Sequence, residues 1–308
     1  MPVDRAERRF RAMGTECHVV VRTGDGPAHA ASLLDLAEGL IRDLESTWSR
    51  FRDDSEVSRL NRGETVALSE STATLLRRAD AARTSTLGWF DPFLARTLAA
   101  LGYDRTFDDI NGAVAGRAEG DAGPTPSSRR AIGEPLRTRS PLRLDDSGTT
   151  ARLVDDAAFD PGGIGKGLAA EVDERAGRSD VDEFGAHHVG GDLRVRGDSG
   201  TDSWVIHVGN PFDEALPPIV ELGIVDCGLA TSSPFKRRWT SPDGGAAHHI
   251  LDPRNGAPAV IELASITVTA PEAATAELLT TAVMLSGPVH GRALLLSLIH
   301  ISEPTRPE

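Results

Sequence analysis

The chain has 308 residues, 39% apolar and 26% charged, which places it among globular proteins that bury a core without disulfide or metal staples. Its 33 Lys and Arg against 46 Asp and Glu leave a net charge of −13, and aromatics make up 5%. That balance argues against non-specific nucleic-acid binding and against stacking on single strands. Two cysteines, Cys17 and Cys227, frame no disulfide scaffold.

The N-terminus has neither an apolar stretch after its first charges nor a lipobox cysteine. No run of roughly eighteen apolar residues occurs, so no membrane span is expected and the expected compartment is the cytoplasm. Residues 17–22 read as a Val-rich strand. Residues 30–48 read as a helix, because Leu33, Leu34, Ala37, Leu40, Ile41, Leu44 and Trp48 recur at helical spacing. The segment 49–61 is too rich in arginine and hydroxyls for a core and reads as a loop with a short helix. Helical periods return over 71–86 and 92–102. Residues 105–150 read as an irregular, Gly- and Pro-rich connection that ends in a strand at Leu142–Leu144. A helix is predicted over 165–178. Short β-like runs follow at 186–197, 203–209, 219–225, 236–240, 247–251 and 263–269, and a last amphipathic helix at 272–286.

Helices cluster early and strands cluster late, which predicts an α+β fold of mixed, largely antiparallel sheets packed with helices. Residues 1–290 read as one domain. Residues 297–308 continue no earlier period and resemble a translated sequencing-adaptor peptide, so they are set apart from the fold.

Three segments carry chemistry. DPGGIGKGLAAEVD (160–173) places glycines around Lys166 at the start of a helix, where backbone groups approach a phosphate or an ion closely. It lacks the Ser or Thr after the lysine that a Walker loop needs, so a nucleotide-kinase reading is set aside. Taken alone, it is equally a tight turn packing on a helix. HHILDPRNGAP (248–258) sets two histidines beside a turn, and adjacent strand residues point to opposite faces, so only one of them enters a given site. ATAELLTTAVML (274–285) puts Glu277 and Thr281 on one helix face; such a pair taken alone is usually a solvated surface. An anionic ligand in so acidic a chain needs local cations, backbone amides or a divalent ion.

In order along the chain stand MGT (13–15), WSRFRDDSEVSRLN (48–61), GWFDP (88–92), GGIGKGLAAEVD (162–173), GGD (190–192), the Thr231–Ser232 segment, HHILDPRNG (248–256) and AELLTTA (276–282). Together they resemble the ApbE-type family of FAD:protein FMN transferases, from about Met13 to Gly287. The resemblance implies transfer of FMN from FAD to a Thr or Ser of an acceptor flavoprotein or flavoprotein domain, with release of AMP. It also implies Mg²⁺ as cofactor and FAD as substrate, in a site between the glycine-rich turn and the last helix. Gly163, Glu277 and Thr281 match the metal ligands. Met13, Ser49, Arg50, Phe51, Arg52, Asp91, Lys166 and Ile250 match FAD contacts, and His249 matches the general base. An imidazole of ordinary pKa puts an acid limb near pH ~6.5.

The chain departs from the family pattern at Glu277, where Asp is usual, and at Ser233-Pro234, where Gly follows Thr-Ser. It holds no acceptor-type D-x-x-[ST]-G-A-[ST] segment, so self-modification is not expected. The alternatives are an FAD pyrophosphatase, which would use water in place of the acceptor hydroxyl, and a non-catalytic FAD-binding module.

Overall fold

The computed structural model describes residues 4–114, 139–171, 184–197, 203–213 and 215–299. The chain opens with strands β1 (Asp4–Ala12) and β2 (Thr15–Thr23), then helices α1 (Pro27–Trp48) and α2 (Glu56–Asn61). Next come β3 (Val66–Ala67), α3 (Glu70–Ser85), α4 (Ala95–Ala100) and α5 (Phe107–Val114). Strands β4 (Leu142–Leu144) and β5 (Thr150–Leu153) lead through a 3₁₀ turn (Pro161–Gly163) into α6 (Gly165–Ala170). The remainder is β6 (Phe184–Val189), β7 (Asp192–Arg196), β8 (Trp204–Val208), β9 (Val220–Ile224), β10 (Gly228–Ser232), β11 (Arg238–Thr240), β12 (Ala246–His248), β13 (Ile266–Ala270) and α7 (Ala273–Ile299). Residues 115–138 of the predicted irregular connection, 172–178 of the predicted helix and 300–308 of the tail lie outside the described residues.

Six strands form the main sheet in the order β1-β2-β6-β7-β10-β13. Every pairing in it is antiparallel. The fold is α+β, as the order of elements in the sequence predicts. On β2 the side chains of Cys17, Val19 and Val21 pack against Leu33, Leu34, Ala37 and Ile41 of α1. Val20 points the other way, into a cluster with Trp204, Ile206 and Ile224 of the β8–β9 hairpin. That division is the two-residue period of a strand covered on both faces. The largest cluster gathers Trp48, Val57, Leu60, Leu75, Leu76, Phe159 and Ile164 with Leu278, Leu279 and Ala282 of α7.

Four strands, β1, β3, β5 and β10, were not legible in the sequence; β3 and β5 span only two and four residues. β1 reads DRAERRFRA, and its exposed face holds Arg5, Glu7, Arg9 and Arg11, while Ala6, Arg8, Phe10 and Ala12 turn inward. Charges on an edge strand deter pairing with a second chain and also hide the strand's period. β10 reads GLATS, small residues with little strand propensity, yet it lies inside the sheet against α7. The predicted run 186–197 is a hairpin instead, turned at Gly190 and Gly191, both at positive φ (61° and 104°), as a type I′ turn requires. The last helix leaves helical geometry at Gly287-Pro288, where the predicted helix ended, and then resumes. In the resumed part Leu294 is buried and Leu295 and Leu298 pack on the main core. Among the described residues, no helix is long and apolar enough to cross a membrane.

Gly167 fixes how α6 meets α7. A Cβ there would lie 2.5 Å from the Ala273 carbonyl oxygen, and the obstruction is backbone. Gly167→Ala is expected to lower stability by about 1–3 kcal/mol through forced separation of the two helices, read as a drop in melting temperature. An unchanged melting temperature would mean that α7 shifts freely.

Candidate active site

One cavity of about 350 Å³ lies where the β1–β2 turn, the loop after α1, the glycine-rich turn, the end of β10, the segment after β12 and α7 converge. Its size falls within the range of ligand sites. Local hydrogen bonding holds each wall in place. Met13 occupies the β1–β2 turn at φ 53°, unusual for a residue with a side chain. Its N–H donates to Glu45 Oε1 at 2.7 Å, which ties the turn to α1.

The hydroxyls of the 49–61 segment are structural. The Ser55 hydroxyl caps α2 by accepting from Ser58 N and donates to the Ser49 carbonyl at 2.5 Å. Asn61 closes the same segment onto Phe159: its amide donates to the Phe159 carbonyl at 2.9 Å and accepts from the Phe159 N–H at 2.7 Å. This two-way clamp positions Asp160 and the turn beyond it. Asn61 ends the WSRFRDDSEVSRLN segment, where the sequence assigns it no role, and only the tertiary pairing supplies one.

Arg50 is held on three sides. Its side chain is 8% exposed, with Nε 3.2 Å from Asp160 Oδ1. Nη1 donates to the Tyr103 carbonyl at 2.7 Å. The guanidinium lies 4.3 Å from the ring centroids of both Phe51 and Tyr103. Nη2 is buried with no protein partner.

The floor of the cavity is ionic. Lys166 Nζ is paired with Asp192 Oδ2 and with Glu277 Oε1. Glu277 Oε2 accepts from Gly167 N–H at 2.8 Å. Both carboxylate side chains are 3% exposed, so Glu277 is not on a solvated helix face as its spacing alone suggested. Burial pulls the Lys166 pKa down, but the two carboxylates outweigh it and hold the ammonium above its usual range. Burial pushes Glu277 up to about 8, reinforced by Asp192 and opposed by Lys166 and Gly167. Burial penalises the charge on Glu277 here, so a cation placed beside it would favour its ionised form. Gly163 and Thr281 line the same cavity. A carboxylate, a hydroxyl and a backbone carbonyl form a hard-oxygen donor set suited to a small divalent cation. Among the described residues no group of three His, Cys, Asp or Glu could hold a metal by itself.

The histidine pair divides by face. His248 is occupied by backbone: Nδ1 accepts from Ile250 N–H at 3.3 Å and Nε2 lies 3.1 Å from the Ala259 carbonyl. His249 lines the cavity, and its Nδ1 is buried without a partner. Burial pushes its pKa down to about 3, helped by Arg237 and His248. This corrects the expected acid limb near pH 6.5: the ring stays neutral well below that value.

The cavity therefore collects Met13, Ser49, Arg50, Phe51, Asp91, Gly163, Lys166, His249, Ile250, Glu277 and Thr281. Arg52 is not brought there; it is exposed, 3.7 Å from Asp54. Sequence reasoning placed Asp192 in the GGD motif but gave it no role; it lies 26 positions from Lys166, and only the tertiary packing pairs the two. That reasoning also missed Lys236 and Arg237, which add positive charge to the cavity wall.

The ApbE family model matches residues 13–301. The FAD:protein FMN transferase of Vibrio cholerae serotype O1 is 26% identical over 302 residues, covering 95% of this chain and 85% of that protein. The enzyme of that name from Treponema pallidum is 25% identical over 302 residues, covering 92% and 79%. Among solved structures, the ApbE protein of Thermotoga maritima superposes with a TM-score of 0.77 at 25% identity, covering 97% of this chain and 92% of its own. The flavin transferase ApbE of Vibrio cholerae gives 0.74 at 24% identity, covering 96% and 91%, a likeness of fold.

Proposed function

The chain belongs to the ApbE family and is an enzyme, and on that footing we propose that it transfers FMN from FAD to a Thr or Ser hydroxyl of an acceptor protein, with Mg²⁺ as cofactor. The observation that carries this reading is the shared cavity. His249, whose Nδ1 has no protein partner, lines the same cavity as Lys166, Arg50, Lys236 and Arg237. A binding module needs the cations but not the unpaired imidazole.

Each residue has work in the transfer. Arg50, Lys166, Lys236 and Arg237 attract the pyrophosphate into an acidic protein. His249 Nδ1 accepts the proton of the acceptor hydroxyl as its oxygen bonds to the FMN phosphorus. The bond from that phosphorus to the bridging oxygen breaks, and AMP leaves with that oxygen. Lys166 stands ready to offset the charge developing on the leaving phosphate. Gly163, Glu277 and Thr281 would hold Mg²⁺, which supplies further charge neutralisation at the pyrophosphate. Met13 and Asp91, on the opposite side of the contact set from Lys166 in the family pattern, are assigned to the flavin.

Incubation with FAD and a domain carrying a D-x-x-T-G-A-T segment should give a fluorescent band in a denaturing gel and the mass of covalent FMN on that domain. FMN and AMP in solution with an unmodified domain would instead establish the pyrophosphatase. Because the cationic wall addresses the pyrophosphate, FAD is expected to bind more tightly than FMN in a calorimetric titration. Equal affinities would remove the pyrophosphate from the cavity and overturn the assignment of its cations.

A further inference from the structure

Resting on the transferase reading, we infer that the acceptor polypeptide docks on the outward side of the Ser233–Arg238 loop, on a platform formed by Phe212 and Phe235. Ser233, Lys236 and Arg237 of this loop line the cavity. Phe235, between them in sequence, points out of it and is 42% exposed. Its ring lies 5.9 Å from that of Phe212, which is 74% exposed and comes from the loop joining β8 to β9. Leu216 and Ile219 on that loop are also exposed. Two aromatic rings held together in water, at the rim of a reaction cavity, form an apolar surface that a partner side chain would cover.

Charge specifies what covers it. The chain carries −13 overall, yet Lys236, Arg237 and Arg238 are consecutive. Arg238 lies 6.0 Å from the Phe235 ring centroid, and Lys236 and Arg238 are exposed. None of the three forms an ion pair with a described carboxylate. A basic rim around an aromatic pair, on an otherwise acidic protein, selects an acidic segment that offers one bulky apolar residue. Seated there, the segment is within a short stretch of chain from His249, because Arg238 is paired in register with His248 at the β11–β12 ladder.

The probe is an acceptor domain carrying a D-x-x-T-G-A-T segment, with its binding to the FAD-loaded protein measured directly and its flavinylation measured separately. Phe212→Ser combined with Phe235→Ser should raise the acceptor Kd and KM at least tenfold and leave the FAD Kd within twofold. Both side chains are exposed, so the melting temperature should not change. Arg238→Glu should raise acceptor KM severalfold and flatten its dependence on salt. Unchanged acceptor Kd in both variants would overturn the docking surface, as would a parallel weakening of FAD. If the wild-type protein binds the domain but does not modify it, the transferase reading falls, while loss of that binding in the double variant still supports the surface. If the wild-type protein does not bind the domain, the docking surface is overturned as well.

Discussion

His249→Ala is expected to slow flavin transfer by roughly a hundredfold to ten-thousandfold, the span of general acid–base catalysis, while FAD affinity barely changes. The imidazole has one nitrogen with no protein partner, and it lines the cavity. His248→Ala is expected to be mild for catalysis. Its ring holds the backbone at Ile250 and Ala259, so its loss would appear as about 0.5–1.5 kcal/mol of stability, the worth of a typical hydrogen bond.

The sign of the pH effect follows from the direction of the shift. A histidine with its pKa pushed down to about 3 remains neutral, and so able to accept a proton, through the whole range in which a free imidazole would be charging. Single-turnover transfer from pre-bound FAD should therefore show no acid limb from this residue between pH 7.5 and 6. A limb at 6.5 that disappears in His249→Ala would show that the bound ring regains solvent. A damaging His248→Ala beside a silent His249→Ala would reverse the face assignment of the pair.

What the sequence disclosed depended on whether a residue's role is local. The buried faces of α1 and α3 were legible because Leu33, Leu34, Ala37, Ile41 and Leu44, then Leu75, Leu76 and Ala79, keep the helical period. The split of His248 from His249 was legible because strand alternation is equally local. β1 was hidden by the charges that protect its edge, and β10 by small residues chosen for close packing: a Cβ at Gly228 would lie 2.2 Å from Ala273 N. The ionic floor had no local signature. Lys166 and Glu277 are 111 positions apart, and no spacing rule connects them. The motif order placed both in one site, but only the packing of α6 on α7 reveals that Glu277 is buried and ion-paired.

That burial changes what Glu277→Ala should do. An exposed Glu would be lost at almost no cost in stability. Here its removal leaves the Gly167 N–H without its carboxylate acceptor, at about 1–3 kcal/mol for an orphaned buried donor. Lys166 keeps Asp192, so the charge balance is not broken and the fold should persist. Turnover should fall by roughly a hundredfold to a thousandfold, comparable to losing one element of an electrostatic clamp, and the thermal stabilisation given by Mg²⁺ should disappear with it. Glu277→Asp separates reach from charge. One methylene is worth about 1.5 Å along a chain, and the present side chain spans Lys166 on one oxygen and Gly167 on the other. The shorter carboxylate keeps the charge but gives up one of these contacts, so it should retain Mg²⁺ stabilisation with a melting temperature between those of the wild type and the Ala variant. Glu277→Gln does the opposite: it keeps an acceptor for Gly167, and so most of the stability, but loses the Mg²⁺ response. If Gln responded to Mg²⁺ as the wild type does, the cation would be held elsewhere, and Glu277 would serve only to anchor Lys166 and the turn.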